Sequence, residues 1–304
     1  MPAENYQPTP DPDQGPVEAL RLPSLPQRIP ILERISAESI GDPLVGSYRK
    51  RAQFTFLCGA EPAEMGGHDG QLEVVGRCLE WFVFDYDIPE LDTTPAHYWL
   101  QCHADDLTDD QLADAQTCLD FVLGLFEITQ IIPGKSFVAR DLLRPSLRYH
   151  VFEELITNEI QPRQLLLGRL FPYRSAYVLS GMAGIMDAHA TGQIKSLINV
   201  GKLKPDVVLP TLDGVELENL FGRSVHDLAD ITDLKIIHHR LRRYLEILPH
   251  CPLTFTDLRR LLVAADDPLE LAADLTRQFN IFCRHEMDLL FTLVSTAWNL
   301  SHNQ

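Results

Sequence analysis

The residues with the chemistry of acids, bases and metal ligands fall into a few groups along the chain. The first is Glu80 with Asp85 and Asp87, carboxylates inside and just beyond an aromatic run. A carboxylate buried beside another is pushed toward its neutral form and can then act as an acid or base. Glu80 and Asp85 are five positions apart, about 500° of helical rotation, so a continuous helix would not set them on one face. Ion pairs perturb carboxylates as well as active sites do. Glu80 therefore reads as the partner of an arginine, either Arg140 or Arg169, and Asp85 and Asp87 as residues that end a helix in solvent.

The second group mixes histidine, cysteine and acid: Cys102-His103 with Asp105 and Asp106, His238-His239, His250-Cys251, and Cys283 with His285 and Glu286. Zinc needs three or four N, S or O ligands converging at about 2 Å. His238 and His239 are adjacent and point about 100° apart on a helix, and no HExxH is present. A metal-assisted hydrolase would have to be assembled from His103, Asp105, Asp106, His285 and Glu286. Glu286 falls on an apolar face, four after Phe282 and three before Leu289, where an acid is usually the satisfied partner of an arginine. Neither a metal nor a cofactor is expected. No GxSxG, P-loop or dinucleotide fingerprint occurs, and Leu179-Ser180-Gly181 lacks the first glycine of a nucleophile elbow.

The third group is cationic and aromatic. Between Glu127 and Asp187 seven basic residues face six acidic ones, in a chain whose formal charge is −17. Arg140, Arg148, Arg169, Tyr173 and Tyr177 could offer single-stranded RNA a cation-and-aromatic surface. The alternative is that these arginines dock their module onto acidic helices of the same chain. A further basic run, Lys235, His238, His239, Arg240, Arg242 and Arg243, reads as a solvated or partner-binding helix face, with Ile236, Ile237, Leu241, Tyr244 and Leu245 turned inwards.

The elements that position these residues follow from periodicity. Eight prolines in residues 1–30 leave too few core-forming residues for order, so this stretch reads as a Pro-rich arm. Residues 31–126 read as a helical part. Leu72, Val75, Leu79, Phe82 and Tyr86 give a helix from Gln71 to Tyr86. A Thr108/Gln111 capping box opens another whose apolar face is Leu112, Ala115, Leu119, Val122, Leu123 and Phe126.

In residues 127–187 the period falls to two between turn signals, giving strands at Glu127–Ile132, Ser136–Leu142, Arg148–Glu153, Leu165–Phe171 and Ala176–Met182. Five short strands with tight connections make an antiparallel meander curled into a small barrel, since closure removes exposed edges. Residues 188–304 return to helix, as one compact domain with 31–126. The last helix runs from the Asp267-Pro268 cap to about Leu300, some 33 residues or about 50 Å. Its spacing near 3.5 makes it the spine of the helical part or the seam of a homodimer, with Phe282 buried. The fold class is α+β.

The run Glu80-Trp81-Phe82-Val83-Phe84-Asp85-Tyr86, with the later ARDLLRPSLRYHVFEE, LLLGRLFPYRSAYVLSG and terminal AWNLS, resembles a group of uncharacterised bacterial proteins, some of which carry a C-terminal SEC-C zinc module. The cysteine-rich module is absent from this sequence. The resemblance implies a helical body around a small β-module and implies no activity.

The charge of −17 on 304 residues repels nucleic acid and anionic membrane at long range. Six cysteines, each at least 16 residues from the next, form no CxxC pair and read as reduced thiols. With no basic leader followed by an apolar stretch and no 18-residue apolar run, a cytoplasmic location is expected. The sum of these readings is a non-enzymatic binding or adaptor protein that acts through another protein.

Overall fold

The computed structural model describes residues 29–61, 64, 68–186, 188–199, 201, 204, 212–216, 225–248 and 251–302. The expected Pro-rich arm, apart from its last two residues, and most of a proline-containing loop expected at 202–213 lie outside them. The fold is α+β, with helices before and after a closed five-stranded barrel. No described helix is long and apolar enough to cross a membrane.

Helix starts follow local chemistry. Pro30 opens α1 (Pro30–Gly41), and Asp42 accepts from the amides of Leu44 and Val45 at 2.9 Å to start α2 (Pro43–Phe56). Helix α3 spans His68–Phe84, and Thr94 caps α4 (Pro95–His103). The expected Thr108/Gln111 capping box opens α5 (Asp109–Leu119). That helix ends at Leu119. Val122, Leu123 and Phe126, which continue its apolar spacing in the sequence, belong instead to strand β1 (Val122–Ile132). A short apolar run fits both periods, and the pairing of β1 with two neighbouring strands decides for the strand.

The other strands are β2 (Ser136–Asp141), β3 (Arg148–Phe152), β4 (Leu165–Tyr173), β5 (Ala176–Leu179) and β6 (Gly184–Ile185). Their order is β1-β2-β3-β5-β4, closed by β1 pairing with β4, with β6 added beside β4. Long β1 serves both halves, pairing β4 through its first residues and β2 through its last, with an irregularity between Ile128 and Gln130. Every pairing is antiparallel except β3 with β5. The meander expected from the sequence is therefore corrected to a mixed barrel. Strand period cannot report pairing direction, and the connection from β3 to β4 carries the chain past one strand position. The result is the strand order of a Greek-key barrel of the OB type. Gly168 belongs to this closure, because a Cβ there would stand 2.6 Å from the Cβ of Ala183.

Alternation along the strands sorts the barrel's side chains. Phe126, Ile128, Phe137, Ala139, Val151, Leu166 and Leu170 form its inner core. Outward Leu125, Leu165 and Leu167 lie under Ile194 of α6 (Ala188–Asn199). Phe152, Phe171, Tyr173, Ala176 and Val178, also outward, join the core of α1–α5.

Helices α7 (Leu234–Ile247), α8 (Phe255–Ala264), α9 (Pro268–Gln278) and α10 (Arg284–His302) form a C-terminal bundle with its own core. The long last helix expected from the sequence is two helices. After α9 the chain takes a Schellman turn: Ile281 N–H reaches Thr276 O at 3.1 Å, Asn280 N–H reaches Arg277 O at 3.3 Å, and Asn280 has φ of +50°. Asparagine tolerates that left-handed position better than most side chains. The break turns Phe282 outwards, 68% exposed, while Ile281 is buried. Helix α10 is 19 residues long, about 28 Å. Its apolar face of Leu289, Leu290, Leu293, Val294 and Ala297 is buried within the chain, so these residues offer no homodimer seam. Phe282→Ala is accordingly expected to change stability by less than about 0.5 kcal/mol, whereas Leu293→Ala costs about 2–5 kcal/mol. Urea midpoints of the two variants check this ordering.

Candidate functional site

Helix α3 stops at Phe84, and its end decides where the first acidic group goes. Asp85 N–H makes the last helical bond, to Trp81 O at 2.8 Å, and Tyr86 N–H turns back to the same carbonyl at 3.1 Å, so the helix closes just after Asp85. Glu80 and Asp85 nonetheless converge on one cation, whose long side chain reaches both. That cation is Arg169 of β4, 1% exposed. Its Nε donates to Glu80 at 3.2 Å, and its Nη1 and Nη2 donate to the two oxygens of Asp85 at 3.3 and 2.6 Å. Phe84 and Phe121 lie against the guanidinium, 5.1 and 3.9 Å from ring centre to Cζ. Ser180, next to β5, donates to Glu80. Burial raises the Asp85 carboxyl above its ordinary value, with Arg169 opposing that shift. The arginine expected on an RNA surface is thus the electrostatic bolt between barrel and helices.

The start of α10 holds the other group. Glu286 is fully buried and takes both its oxygens to Arg51 Nε, at 2.7 and 2.9 Å, while Tyr244 Oη donates to it at 2.6 Å. This joins α2, α7 and α10. Burial lowers the Arg51 guanidinium's affinity for its proton, but the Glu286 charge and hydrogen bond outweigh it and hold Arg51 still more firmly protonated. His285 meets Asp213 at 2.6 Å. Burial works against the charged form of Asp213, yet the His285 contact prevails and keeps its carboxyl below the ordinary range. The Cys283 thiol is pushed up to about 12, first by burial, which removes it as a thiolate nucleophile near neutral pH.

Between these networks lies a cleft of about 390 Å³. Trp81, Asp85, Asp87, Asp92, Asp213, Phe282 and His285 are among the residues that line it. Gly214 draws the loop onto Trp81, since a Cβ there would stand 2.7 Å from the indole's own Cβ, and its N–H donates to Asp85 at 3.2 Å. Asp85 and Asp213 are already paired. Asp87 and Asp92 have no ion-pair partner among the described residues, and burial together with the Asp92 charge raises the Asp87 carboxyl. Trp81, 1% exposed, has an indole N–H without an acceptor among the described residues.

The remaining candidates do not assemble. Arg140 faces Arg148 across β2 and β3, but Arg140 pairs with Glu127, which also takes Lys195. In OB-type barrels the outer face of β2 and β3 often carries nucleic acid. Here the aromatics named for that task are elsewhere: Tyr173 is buried in the helical core, and Tyr177 packs on Tyr149 at 5.0 Å with the barrel's inner cluster. Topology alone assigns no ligand. His103 stacks on Trp99, 4.9 Å between ring centres, and sits beside Glu38 rather than His285. Among the described residues no three His, Cys, Asp or Glu side chains could hold a metal ion. Of the basic run on α7, Arg240 and Arg243 reach back to Glu64 and Glu61, and Ile236 is 44% exposed rather than turned inwards.

Arg51, Tyr244 and Asp213 carry these networks and went unnoticed as site residues in the sequence. Arg51 had a signal, since it shares a helical face with Tyr48, Ala52 and Thr55, all buried. Asp213 had none, being fixed by a loop contact rather than by a period. Comparison with protein-family models, with curated proteins and with solved structures finds no match.

Proposed function

We propose that this chain is a non-enzymatic binding protein that works in the cytoplasm through contacts with another protein. The observation that carries the reading is Phe282 at the mouth of the cleft, 68% exposed between buried Ile281 and a half-buried Cys283. A single exposed apolar side chain is ordinary. Phe282 differs because it borders a concave surface that also holds unpaired carboxylates, the combination of aromatic anchor and polar rim found at protein interfaces. The acids and bases that could otherwise have served catalysis, Glu80, Asp85, Asp213, His285 and Glu286, are engaged with one another or with arginines. All six cysteines are free thiols, which suits a reducing compartment.

A photo-reactive benzoylphenylalanine at position 282 tests the reading. Irradiation in lysate of the protein's own cells is expected to give one discrete protein adduct, identified by mass spectrometry and re-formed from the purified pair. The same label at Leu155, 70% exposed on the barrel, should give none. Equal labelling from both positions, or no adduct at 282, would overturn it.

A further inference from the structure

We propose that the groove between α7 and α8 is a second docking surface, one that takes an acidic segment of a protein carrying at least two aspartate or glutamate side chains. It shares no described lining residue with the cleft at Phe282, so it goes beyond the binding reading above and stands apart from it. The fold divides the basic run of α7 between two sides. Arg240 and Arg243 turn to Glu64 and Glu61. Lys235, His238 and Arg242 recur at spacings of three and four, which sets them along one face of α7 over about 10 Å. Across the groove, α8 presents Phe255, Arg259 and Val263 at a spacing of four. Two contacts join the rows: the Arg242 guanidinium lies 4.9 Å from the centre of the Phe255 ring, and the His238 imidazole meets the same ring in a T-shaped contact at 5.4 Å.

None of Lys235, His238, Arg242 and Arg259 has an ion-pair partner among the described residues, although the neighbouring Arg260 takes Asp257. Lys235, His238 and Arg259 line a hollow of about 480 Å³. Asp233 is the one acid among its described lining residues, and it accepts from the Lys235 backbone N–H at 2.8 Å as the cap of α7. The cations act on one place: after burial, the charges of Arg259 and then Arg242 hold the His238 imidazole below its ordinary value. A chain with 43 acidic and 26 basic residues thus keeps a row of bases that no acid of its own neutralises, and a carboxylate from outside relieves their repulsion.

The spread of the row selects the occupant. A single small anion meets one end of it, whereas alternate side chains of an extended peptide stand about 6.8 Å apart and reach two cations at once. Val263, 69% exposed on the same row of α8 as Arg259, adds an apolar contact for the segment's other side chains. Nucleic acid fits less well. The Phe255 ring is already occupied by Arg242 and His238 and is not free to stack on a base, and beyond the groove a chain of charge −17 repels a run of phosphates.

The test uses the whole chain and a rhodamine-labelled eight-residue peptide of alternating glutamate and alanine, followed by anisotropy at pH 7, with a glutamine-for-glutamate peptide as control. Wild-type protein is expected to bind the glutamate peptide and not the glutamine one, and absence of binding would overturn the proposal. The triple variant Lys235→Gln, Arg242→Gln and Arg259→Gln should weaken binding at least fivefold. All three positions are exposed, where substitution seldom disturbs folding. Arg49→Gln, Lys50→Gln and Lys135→Gln remove the same charge from other exposed positions and should change binding less than twofold. Equal weakening by the two triples would mean general attraction of opposite charges and would overturn the proposal. So would complete displacement of the peptide by millimolar inorganic phosphate at constant ionic strength, which would make the groove a site for one small anion. Tighter binding of a single-stranded RNA oligonucleotide, lost in the first triple variant, would assign the groove to nucleic acid instead.

Discussion

Replacing Arg169 with methionine is expected to remove about 3–5 kcal/mol of stability at pH 7, with part of the loss returning as the pH falls toward 5. The magnitude is that of breaking a buried ion pair from one side, which leaves the other charge uncompensated. Arg169 is 1% exposed, and the Glu80 and Asp85 side chains that face it are 17% and 10% exposed. The pH dependence follows from Asp85. Burial already raises its carboxyl in the native protein while Arg169 holds it down, and without the guanidinium the neutral form gains further. A carboxyl raised in the folded state favours folding below its unfolded pKa, near 3.9, and withdraws that stability as pH rises through the folded value. The variant should therefore gain on the wild type during acidification. Urea unfolding at pH 7 and pH 5 measures both terms, and a small, pH-independent loss would show that Arg169 is no counter-charge.

Glu286→Gln is expected to cost about 3 kcal/mol in urea unfolding at pH 7, although glutamine has nearly the same volume and can still accept from Tyr244. What disappears is the charge facing Arg51, whose side chain is 4% exposed, so a guanidinium is left buried without its counter-ion. Arg284→Ala, two residues earlier on an exposed position paired with Glu216, should change stability far less. An equal effect of the two substitutions would contradict the burial of Glu286 as the source of the cost.

Much of the fold was legible because local chemistry and tertiary structure agree. The Thr108/Gln111 capping box and the Asp267-Pro268 cap set helix starts where periodicity places them. The five barrel strands are written by alternation and by turns such as Pro133-Gly134. What the sequence hid were choices made at long range. Val122 to Phe126 suit a helix until two strands claim them. The parallel pairing of β3 with β5 has no local mark. The break between α9 and α10 was signalled only by Asn280, inside a pattern whose apolar spacing continues through it. At the site, Glu80 and Glu286 could be read as acids in need of arginines, because charge on an apolar face demands compensation. Their partners lie 89 and 235 residues away, a separation that no spacing rule crosses.

The central claim is that acids and bases with catalytic potential are spent on one another to lock the helices, barrel and bundle together, leaving the cleft for binding. A double-mutant cycle at Arg51 and Glu286 tests it most directly, because the two side chains join α2 to α10 across 235 residues of sequence. Arg51→Met, Glu286→Gln and the double variant are unfolded in urea under one set of conditions. If the pair is a structural lock, each single substitution strands a buried charge, and the double loses at least about 2 kcal/mol less than the sum of the singles. Losses that add within about 0.5 kcal/mol would mean that the two charges do not depend on each other, and the claim would be contradicted.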